Sequence, residues 1–377
     1  MKILIIGAYP YSIISFRGKL IQQLITGGHE VTVMSAQAPG EIIKKVEALG
    51  ATFRSYDVER NGLNPFADLK TLWQLTRAIS QLKPDKILAY TIKPIIWGGI
   101  ATKFFYKGKF YALITGLGYA FETKKGLRNF VNKVVRSLYK FALKGSSAVI
   151  FQNNDNKDIF IEQKIITRRQ AHRIYGSGVD VKEYSIKSLP DSPPTFLLIA
   201  RLLGDKGIRE YVNAARFVKS EYPKVNFNLL GPVDTSPDRI NLTEVNDWEE
   251  EGVINYLGET DNVLPYLSQC HVYTLPSYHE GLPRTVLEAM AISRPILTTD
   301  VAGCRDTVLP NQNGLLVPAK NSEALATAMI WFIENPNQWV AMGEKSRELV
   351  CQFFDVDKVN SNLIDIMGIP PSIDLDQ

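Results

Sequence analysis

Short apolar runs alternate with amphipathic helical segments in this chain, and the pattern occurs in two successive series. In the first series we predict strands at 1–6, 31–34, 51–56, 86–90, 111–115 and 148–152, with helices at 16–26, 42–49, 66–82, 95–105 and 127–143. Alternating β and α units place the strands parallel and cover both faces of the sheet with helices. The pattern therefore predicts an α/β fold with a doubly wound parallel sheet.

The second series follows a stretch rich in proline and serine at 185–194, which is typical of a linker. Beyond it we predict strands at 196–200, 225–230, 253–257, 272–275, 295–299 and 314–317, with helices at 208–220, 263–269, 283–292, 323–334, 336–353 and 359–367. The predicted organisation is an N-terminal domain (1–184), the linker, a C-terminal domain (195–353) and a terminal segment (354–377) that returns to the first domain. In open α/β sheets ligands lie beyond the carboxyl ends of the strands, so two such domains facing each other define a cleft.

Composition excludes several classes of protein. The 377 residues are 45% hydrophobic and 22% charged, an ordinary globular balance that excludes disorder and collagen-like repeats. The three cysteines, Cys270, Cys304 and Cys351, are too few and too widely spaced for a disulfide framework or a CxxC zinc site. Because no apolar run has the 18 residues of a transmembrane helix, we expect a cytoplasmic chain, free or attached to the membrane from that side.

Charge is distributed unevenly along the chain. Residues 1–190 contain 29 Lys and Arg against 13 Asp and Glu, whereas residues 191–377 contain 14 against 26. A basic half indicates contact with something anionic, such as nucleic acid, an anionic membrane or a phosphorylated substrate. The alternative is an ordinary surface with uneven charge.

The most informative motif lies at 278–290. Glu280 follows a predicted strand, Pro283 suits the first turn of a helix, and Glu288 lies within that helix. The free N–H groups of the helix N-terminus can bind phosphate, and a carboxylate can accept both hydrogens of a vicinal diol. The arrangement suits a ligand that contains a sugar, a diphosphate and a ribose. Alternatively, Glu280 is a loop charge and Glu288 a solvated helix position.

A second motif places Arg201 and Lys206 at the first strand-to-helix turn of the second domain, beside Gly204 and Gly207. Arginine binds phosphate oxygens through two hydrogen bonds and lysine acts as a point charge. Each such charge-assisted contact contributes about 1.5–3 kcal/mol, enough to hold a diphosphate without a metal. The alternative is a pair of ordinary surface cations.

These motifs resemble the retaining glycosyltransferase family 4, also called group 1, whose members have the GT-B fold of two Rossmann-like domains. The resemblance rests on Arg201 with Lys206 and Gly207, on Glu280 and Glu288 with the Ala289-Met290 that follows, and on the run from Gly314 to Pro318. The first half is similar to bacterial enzymes that build surface polysaccharides on a polyprenyl-diphosphate lipid. The residues that carry this second likeness are Arg60-Asn61-Gly62-Leu63-Asn64-Pro65, Thr91-Ile92-Lys93-Pro94 and Thr115-Gly116-Leu117-Gly118.

The resemblance implies a role for each matching residue. Arg201 and Lys206 would hold the donor diphosphate and stabilise the leaving nucleotide, and Glu280 would contact the sugar hydroxyls. Glu288 would bind the ribose hydroxyls. The implied catalytic residues are Arg201, Lys206 and Glu280. The implied donor-binding residues are Gly7, Arg201, Lys206, Glu280, Gly281, Leu282, Pro283, Arg284, Thr285 and Glu288.

Many family members have a histidine in the middle of the first domain that contacts the donor sugar. Here no histidine lies between His29 and His172. Thr91, Lys93 and Thr115 are the candidate replacements, and Arg17 and Gly116 join them on the acceptor or sugar side. We expect no metal and no cofactor, with the nucleotide sugar, for which UDP is favoured, as a substrate.

A basic amphipathic segment at 124–144 contains seven cations and no acid, with aromatic and aliphatic residues between them. The cations are Lys124, Lys125, Arg128, Lys133, Arg136, Lys140 and Lys144. Such a helix can lie on an anionic membrane, and the basic and aromatic residues of 103–109 are expected beside it. We expect a peripheral protein on the inner face of the cytoplasmic membrane. Alternatively, the apolar stripe packs on the sheet. No recognition-helix or RNP pattern supports nucleic-acid binding.

The expected activity is a transfer of a hexose or an N-acetylhexosamine from a nucleotide sugar to a lipid-linked saccharide. An NAD-dependent oxidoreductase is disfavoured because the turn at Gly7 and Pro10 lacks the G-x-G-x-x-G pattern. A nucleotide-sugar epimerase on the same scaffold is the main alternative, although few histidines are present to act as acid or base. A catalytically silent assembly partner would have no need of the phosphate-binding motif.

Overall fold

The computed structural model describes residues 1–59, 64–106, 108–117, 121 and 127–370. Its internal contacts divide the chain into two units. Unit one comprises Met1–Ser177 and the C-terminal stretch from Val359, and unit two comprises Gly178–Lys358. Among the residues that the structure describes, we find no helix that could span a membrane.

Within the described residues, unit one contains a parallel sheet of seven strands in the order β3-β2-β1-β4-β5-β6-β7. The strands are β1 (Lys2–Ile6), β2 (Glu30–Ser35), β3 (Thr52–Ser55), β4 (Lys86–Tyr90), β5 (Lys109–Ile114), β6 (Ala148–Phe151) and β7 (Ala171–Arg173). The helices are α1 (Tyr11–Thr26), α2 (Gly40–Ala48), α3 (Pro65–Leu82), α4 (Ile92–Phe105), α5 (Leu127–Leu143) and α6 (Asn154–Glu162). The inner strands read as continuous apolar runs because helices bury both of their faces.

Unit two contains a second parallel sheet, whose six described strands follow the order β10-β9-β8-β11-β12-β13. The strands are β8 (Thr195–Ile199), β9 (Asn226–Leu230), β10 (Asn255–Tyr256), β11 (Val272–Leu275), β12 (Ile296–Thr299) and β13 (Gly314–Val317). The helices are α7 (Ile208–Glu221), α8 (Leu242–Glu250), α9 (Leu264–Ser268), α10 (Arg284–Ala291), α11 (Ser322–Glu334) and α12 (Trp339–Leu349). A π-helical turn (Val350–Phe354) then leads to the last helix, α13 (Val356–Ile366).

The predicted fold class is confirmed, with differences at the level of single elements. Helices α6 and α8 and strand β7 were not predicted, and the strand expected at 253–257 has only two residues. Helices α1 and α4 begin earlier than predicted. Pro10 is the N-cap residue of α1, and Pro94 lies in the first turn of α4. Proline is tolerated at these positions because its missing N–H would have no acceptor within the helix. Helix α12 begins at Trp339, and the π-helical turn replaces the end of the helix expected at 336–353.

The stretch expected to be a linker belongs to unit two, because the chain enters that unit at Gly178. The buried guanidinium of Arg294 donates hydrogen bonds of 2.8 and 2.9 Å to the carbonyl oxygens of Lys187 and Ser188. A second anchor is His271, whose Nε2 lies 3.0 Å from the carbonyl oxygen of Pro190. Residues 187–190 are therefore held against unit two, despite their composition.

Candidate functional site

The order of strands in unit two reverses direction between β8 and β11, which lie side by side. The chain leaves β8 through residues 200–207 and leaves β11 through residues 276–283. At such a switch point the two connections run to opposite sides of the sheet and open a crevice at the carboxyl ends of the strands. The sequence motifs of Arg201, Lys206 and Glu280 lie in these two loops.

An ion pair joins the loops. Lys206 Nζ lies 2.7 Å from Glu280 Oε1, and both side chains are largely buried. Burial by itself lowers the pKa of Lys206, but the charge and the hydrogen bond of Glu280 outweigh it, and the net pKa is raised. Lys206 is therefore a fixed positive charge at the switch point.

Gly207 allows the two loops to touch. Its φ is +70°, and a Cβ atom there would lie 2.0 Å from the carbonyl oxygen of Pro276. The carbonyl oxygen of Asp205 accepts hydrogen bonds from the Tyr278 amide at 2.8 Å and from Ser277 Oγ at 3.2 Å. Close backbone contact thus places Lys206 against the loop that carries Glu280.

Arg201 lies at the same edge of the sheet and forms an ion pair with Asp234, in the segment that follows β9. Hydrogen bonds from Ser236 and Arg201 outweigh the effect of burial and lower the pKa of Asp234. The Arg201 side chain is partly exposed, so its other guanidinium N–H groups can reach an anion in the crevice.

Helix α10 begins at this crevice. Pro283 is its N-cap residue, and the N–H groups of its first turn have no acceptor within the helix. Leu282 and Pro283 are buried, Gly281 is partly buried, and Thr285 Oγ1 accepts a 2.6 Å hydrogen bond from the hydroxyl of Tyr273. The helix start is thus fixed in place and provides N–H donors and the positive end of a helix dipole.

Glu288 lies one turn further along α10 and is buried. Its Oε1 accepts a 2.8 Å hydrogen bond from Arg284 Nε, and the Tyr184 side chain is a second polar neighbour of the carboxylate. Burial raises the pKa of Glu288, although the charge and hydrogen bond of Arg284 oppose the shift. The alternative in which Glu288 is a solvated helix position is therefore wrong. An enclosed carboxylate with two polar neighbours suits selective hydrogen bonding.

In unit one, Gly7 and Arg17 both contact Tyr90. A Cβ atom on Gly7 would lie 2.3 Å from the Tyr90 hydroxyl, so the glycine makes room for that ring. The guanidinium of Arg17 lies 5.3 Å from the centroid of the same ring, and Arg17 is only 2% exposed. The close contact with Tyr90 explains why a glycine is needed at position 7. The Arg17 side chain is largely enclosed.

The other residues predicted for the acceptor or sugar side follow neighbouring strands. Thr91 follows β4 and has a φ of +68°, and its Oγ1 is buried without a hydrogen-bond partner in the described part of the chain. Lys93 Nζ lies 2.7 Å from Asp68 Oδ1. Thr115 and Gly116 follow β5, which pairs with β4. Arg60, Asn61, Gly62, Leu63 and Gly118 lie outside the described residues.

Helix α5 carries the described part of the basic segment, while Lys124 and Lys125 lie outside the described residues. Lys133, Lys140 and Lys144 are exposed. The apolar stripe is divided, because Leu138 packs on the core of unit one whereas Phe130, Val134 and Phe141 are exposed. The alternative in which the apolar stripe packs on the sheet therefore holds for Leu138 but not for the three exposed residues.

Three neighbours of the site were not found in the sequence. Asp234 follows the strand next to β8, so its position after Gly231 and Pro232 is the kind of signal that could have indicated it. Asp205 lies directly before Lys206 in the sequence motif, but nothing in the motif assigns it a role. Tyr184 lies more than a hundred residues from Glu288 along the chain, and no local pattern connects the two.

Comparisons with known proteins identify the family and the fold. Residues 5–153 match the family model described as "Glycosyl transferase 4-like", and residues 193–335 match the one described as "Glycosyl transferases group 1". The chain is similar over 98% of its length to the structure of Anabaena Alr3699/HepE in complex with UDP-glucose, with a TM-score of 0.77 and 19% identity over 99% of that chain. This likeness shows the fold.

Two curated relatives are glycosyltransferases. The N,N'-diacetylbacillosaminyl-diphospho-undecaprenol alpha-1,3-N-acetylgalactosaminyltransferase of Campylobacter jejuni is 31% identical over 91% of this chain and 92% of its own. The UDP-Gal:alpha-D-GlcNAc-diphosphoundecaprenol alpha-1,3-galactosyltransferase of Escherichia coli is 23% identical over 80% of each chain. These findings do not support the epimerase alternative. The chain is an enzyme of the group 1, family 4-like glycosyltransferases and has their GT-B fold.

Proposed function

We propose that the chain is a retaining glycosyltransferase that moves a hexose or an N-acetylhexosamine from a UDP-sugar to a polyprenyl-diphosphate-linked saccharide. The observation that carries the proposal is the Lys206–Glu280 ion pair at the β8–β11 switch point, beside Arg201 and the start of α10. The names of the two relatives, which include undecaprenol-linked acceptors and in one case UDP-Gal, support the substrate classes. The expected setting is the synthesis of a bacterial surface polysaccharide.

The donor groups would divide among these side chains. Arg201, Lys206 and the N–H groups at the start of α10 provide positive charge and donors for the diphosphate. Glu280, whose carboxylate accepts a hydrogen bond from Lys206, would bind the sugar hydroxyls. The ribose would bind at Glu288, with Arg284 turning aside from the carboxylate. No metal or other cofactor takes part in this proposal.

The transfer would proceed on one face of the sugar. The bond from the anomeric carbon to the diphosphate oxygen breaks, and its electron pair leaves with the diphosphate. The acceptor hydroxyl forms the new bond on the same face, and its proton passes to an oxygen of the leaving diphosphate. Lys206 and Arg201 stabilise the negative charge that develops there, as electrostatic preorganisation requires. No protein nucleophile is needed.

The acceptor would use unit one. Thr91 and Thr115 follow adjacent strands, and the strained backbone of Thr91 is the kind of feature found at functional sites. The exposed cations and apolar side chains of α5 would bind the anionic surface of the membrane that holds the lipid acceptor. The enzyme would then be a peripheral protein on the inner face of the cytoplasmic membrane.

The test is a transfer assay with the full chain, a panel of UDP-, GDP- and ADP-sugars and synthetic undecaprenyl-diphosphate saccharides. We expect one UDP-sugar to give a glycosylated lipid, whose anomeric configuration NMR shows to match the donor. The variant Lys206→Met should lose transfer, and Lys219→Met, in which the lost ammonium had bonded to the Gly252 carbonyl oxygen, should retain it. An inverted product, or transfer only from a GDP- or ADP-sugar, would contradict the corresponding part of the proposal. Failure with every donor would contradict the whole.

A further inference from the structure

Helix α3 presents apolar side chains to the outside of unit one. Phe66, Leu69 and Trp73 follow one another at helical spacing and are 80%, 58% and 59% exposed. The opposite face of the helix, with Leu75 and Ile79, packs in the core. We call the three exposed residues the α3 strip. Clustered exposed apolar side chains are typical of interaction surfaces.

Cationic side chains lie beside the α3 strip. The guanidinium of Arg77 lies 5.6 Å from the centroid of the Trp73 ring, and Lys70 is exposed on the same face, where it pairs with Asp57. Asp68, the acidic residue of α3, is largely buried in its ion pair with Lys93. The outer face of α3 thus combines apolar contact area with positive charge.

Helix α5 belongs to the same layer of helices as α3. Both α3 and α5 pack on α4, and all three cover the same face of the sheet. At the end of α4, Lys103 Nζ lies 4.0 Å and the Phe104 ring 5.8 Å from the centroid of the Phe141 ring of α5. The sequence of α5 contains no acidic residue. One layer of helices therefore exposes aromatic and cationic side chains together.

We infer that the α3 strip is a membrane-insertion surface, which seats unit one on an anionic bilayer with Trp73 at the level of the lipid head groups. Aromatic side chains favour that level, and cations beside them are attracted to anionic lipids. A bilayer, unlike a protein partner, matches positive charge spread over neighbouring helices without needing complementary acids at set positions. The inference rests on the proposed function only in that the lipid acceptor would lie in the same bilayer.

The first test uses Trp73 as its own probe. The full chain is mixed with vesicles of phosphatidylethanolamine and phosphatidylglycerol that carry brominated acyl chains. We expect quenching of tryptophan fluorescence in the native protein, and we expect most of that quenching to be absent in Trp73→Phe, which retains an apolar ring. Equal quenching in both proteins, or none in the native chain, would overturn the inference.

The second test removes the strip. Cosedimentation with the same vesicles compares Phe66→Ser/Leu69→Ser/Trp73→Ser with a matched control, Phe217→Ser/Leu242→Ser/Val340→Ser. The control residues lie in unit two and are 55%, 45% and 59% exposed. We expect vesicle binding to fall about tenfold or more in the strip variant, since membrane affinity scales with buried apolar area, and to stay unchanged in the control. Equal losses in the two variants would contradict the inference.

Two further experiments distinguish binding to the bilayer from binding to the acceptor lipid, and membrane binding from transfer activity. Native protein that binds only when the vesicles contain a polyprenyl-diphosphate saccharide would overturn the bilayer assignment in favour of the acceptor lipid. Transfer to a short-chain, water-soluble acceptor without vesicles should be equal in the strip variant and the native chain, because the strip is not part of the donor site. A chain that inserts Trp73 but transfers no sugar would contradict the proposed function and support the membrane surface.

Discussion

Lys206 Nζ lies 2.7 Å from Glu280 Oε1, and this ion pair joins the loops that leave β8 and β11. Before a donor binds, each charge is the partner of the other in a largely buried position. In the proposed function, a diphosphate that enters the crevice would offer Lys206 a second anionic partner, and Glu280 would accept hydrogen bonds from sugar hydroxyls. The pair would then link recognition of the sugar to neutralisation of the leaving group.

Removing the Lys206 charge should lower turnover more than donor binding. We expect Lys206→Met to reduce kcat about 100-fold or more, as loss of a single preorganised electrostatic group does in other enzymes. Arg201→Ala should act in the same direction with a smaller effect, because its side chain is partly exposed. Steady-state kinetics with the active UDP-sugar measures both. A native kcat in Lys206→Met would refute the electrostatic role.

Glu288→Ala should weaken donor binding. Hydrogen bonds to a charged group contribute about 1.5–3 kcal/mol each, so we expect the Kd of UDP to rise roughly 10- to 100-fold. Calorimetric titration with UDP and 2′-deoxy-UDP measures the ribose contribution, and the variant should bind the two equally. Tyr184→Phe, which removes the hydroxyl of a polar neighbour of Glu288, should have an intermediate effect. Undiminished discrimination between the nucleotides in Glu288→Ala would contradict the ribose assignment.

The buried Glu288 carboxyl should make stability depend on pH. Its pKa in the folded chain is raised above the ordinary value of 4.5, mainly by burial, so the folded state retains this proton where the unfolded state has lost it. The contribution to stability is fully present below pH 4.5 and is lost as the pH rises through the raised pKa. Urea unfolding at a series of pH values should show this loss relative to Glu288→Gln. Parallel curves for the two proteins would argue against it.

Neutralising the basic face of α5 should reduce membrane binding. We expect Lys133→Gln/Arg136→Gln/Lys140→Gln to lose about 1 kcal/mol per cation of its attraction to anionic vesicles. Binding of the native chain should also weaken with added salt, since the interaction is screened. Cosedimentation with phosphatidylglycerol vesicles is the measurement, and Lys157→Gln/Lys182→Gln/Lys345→Gln serves as a charge-matched control. Equal binding by the α5 variant and the native chain would exclude this helix as a contact.

Arg294 should be essential for the stability of unit two. It is fully buried, and its guanidinium donates to backbone carbonyl groups of residues 187 and 188 and of the α9 region. Arg294→Ala leaves those carbonyl groups unpaired, so we expect a loss of about 3 kcal/mol or more in the free energy of unfolding. Arg216→Ala, which breaks an exposed ion pair with Glu251, should cost less than about 1 kcal/mol. Denaturant unfolding distinguishes the two, and similar losses would contradict the assignment.

Much of the fold could be predicted because burial in a parallel sheet leaves a local signature. The run Lys2–Ile6 and the helical spacing after it are visible within a few residues. Helices α6 and α8 were missed because both are polar and short, so their apolar faces repeat too few times. The two-residue strand β10 owes its existence to pairing with β9, which no local pattern encodes.

Local patterns are sufficient to predict the two parallel-sheet series, the loops that carry Arg201, Lys206 and Glu280, and the family to which the chain belongs. The folded chain adds what no local pattern contains: Lys206 pairs with Glu280, Glu288 is buried against Arg284 and Tyr184, and Arg17 lies enclosed beside Tyr90. It also leaves the α3 strip exposed. The two kinds of information differ in the sequence distance over which the interactions act. Periodicity and capping act over a few residues, whereas burial, ion pairing and the shift of a pKa depend on which distant segments the sheet order brings together.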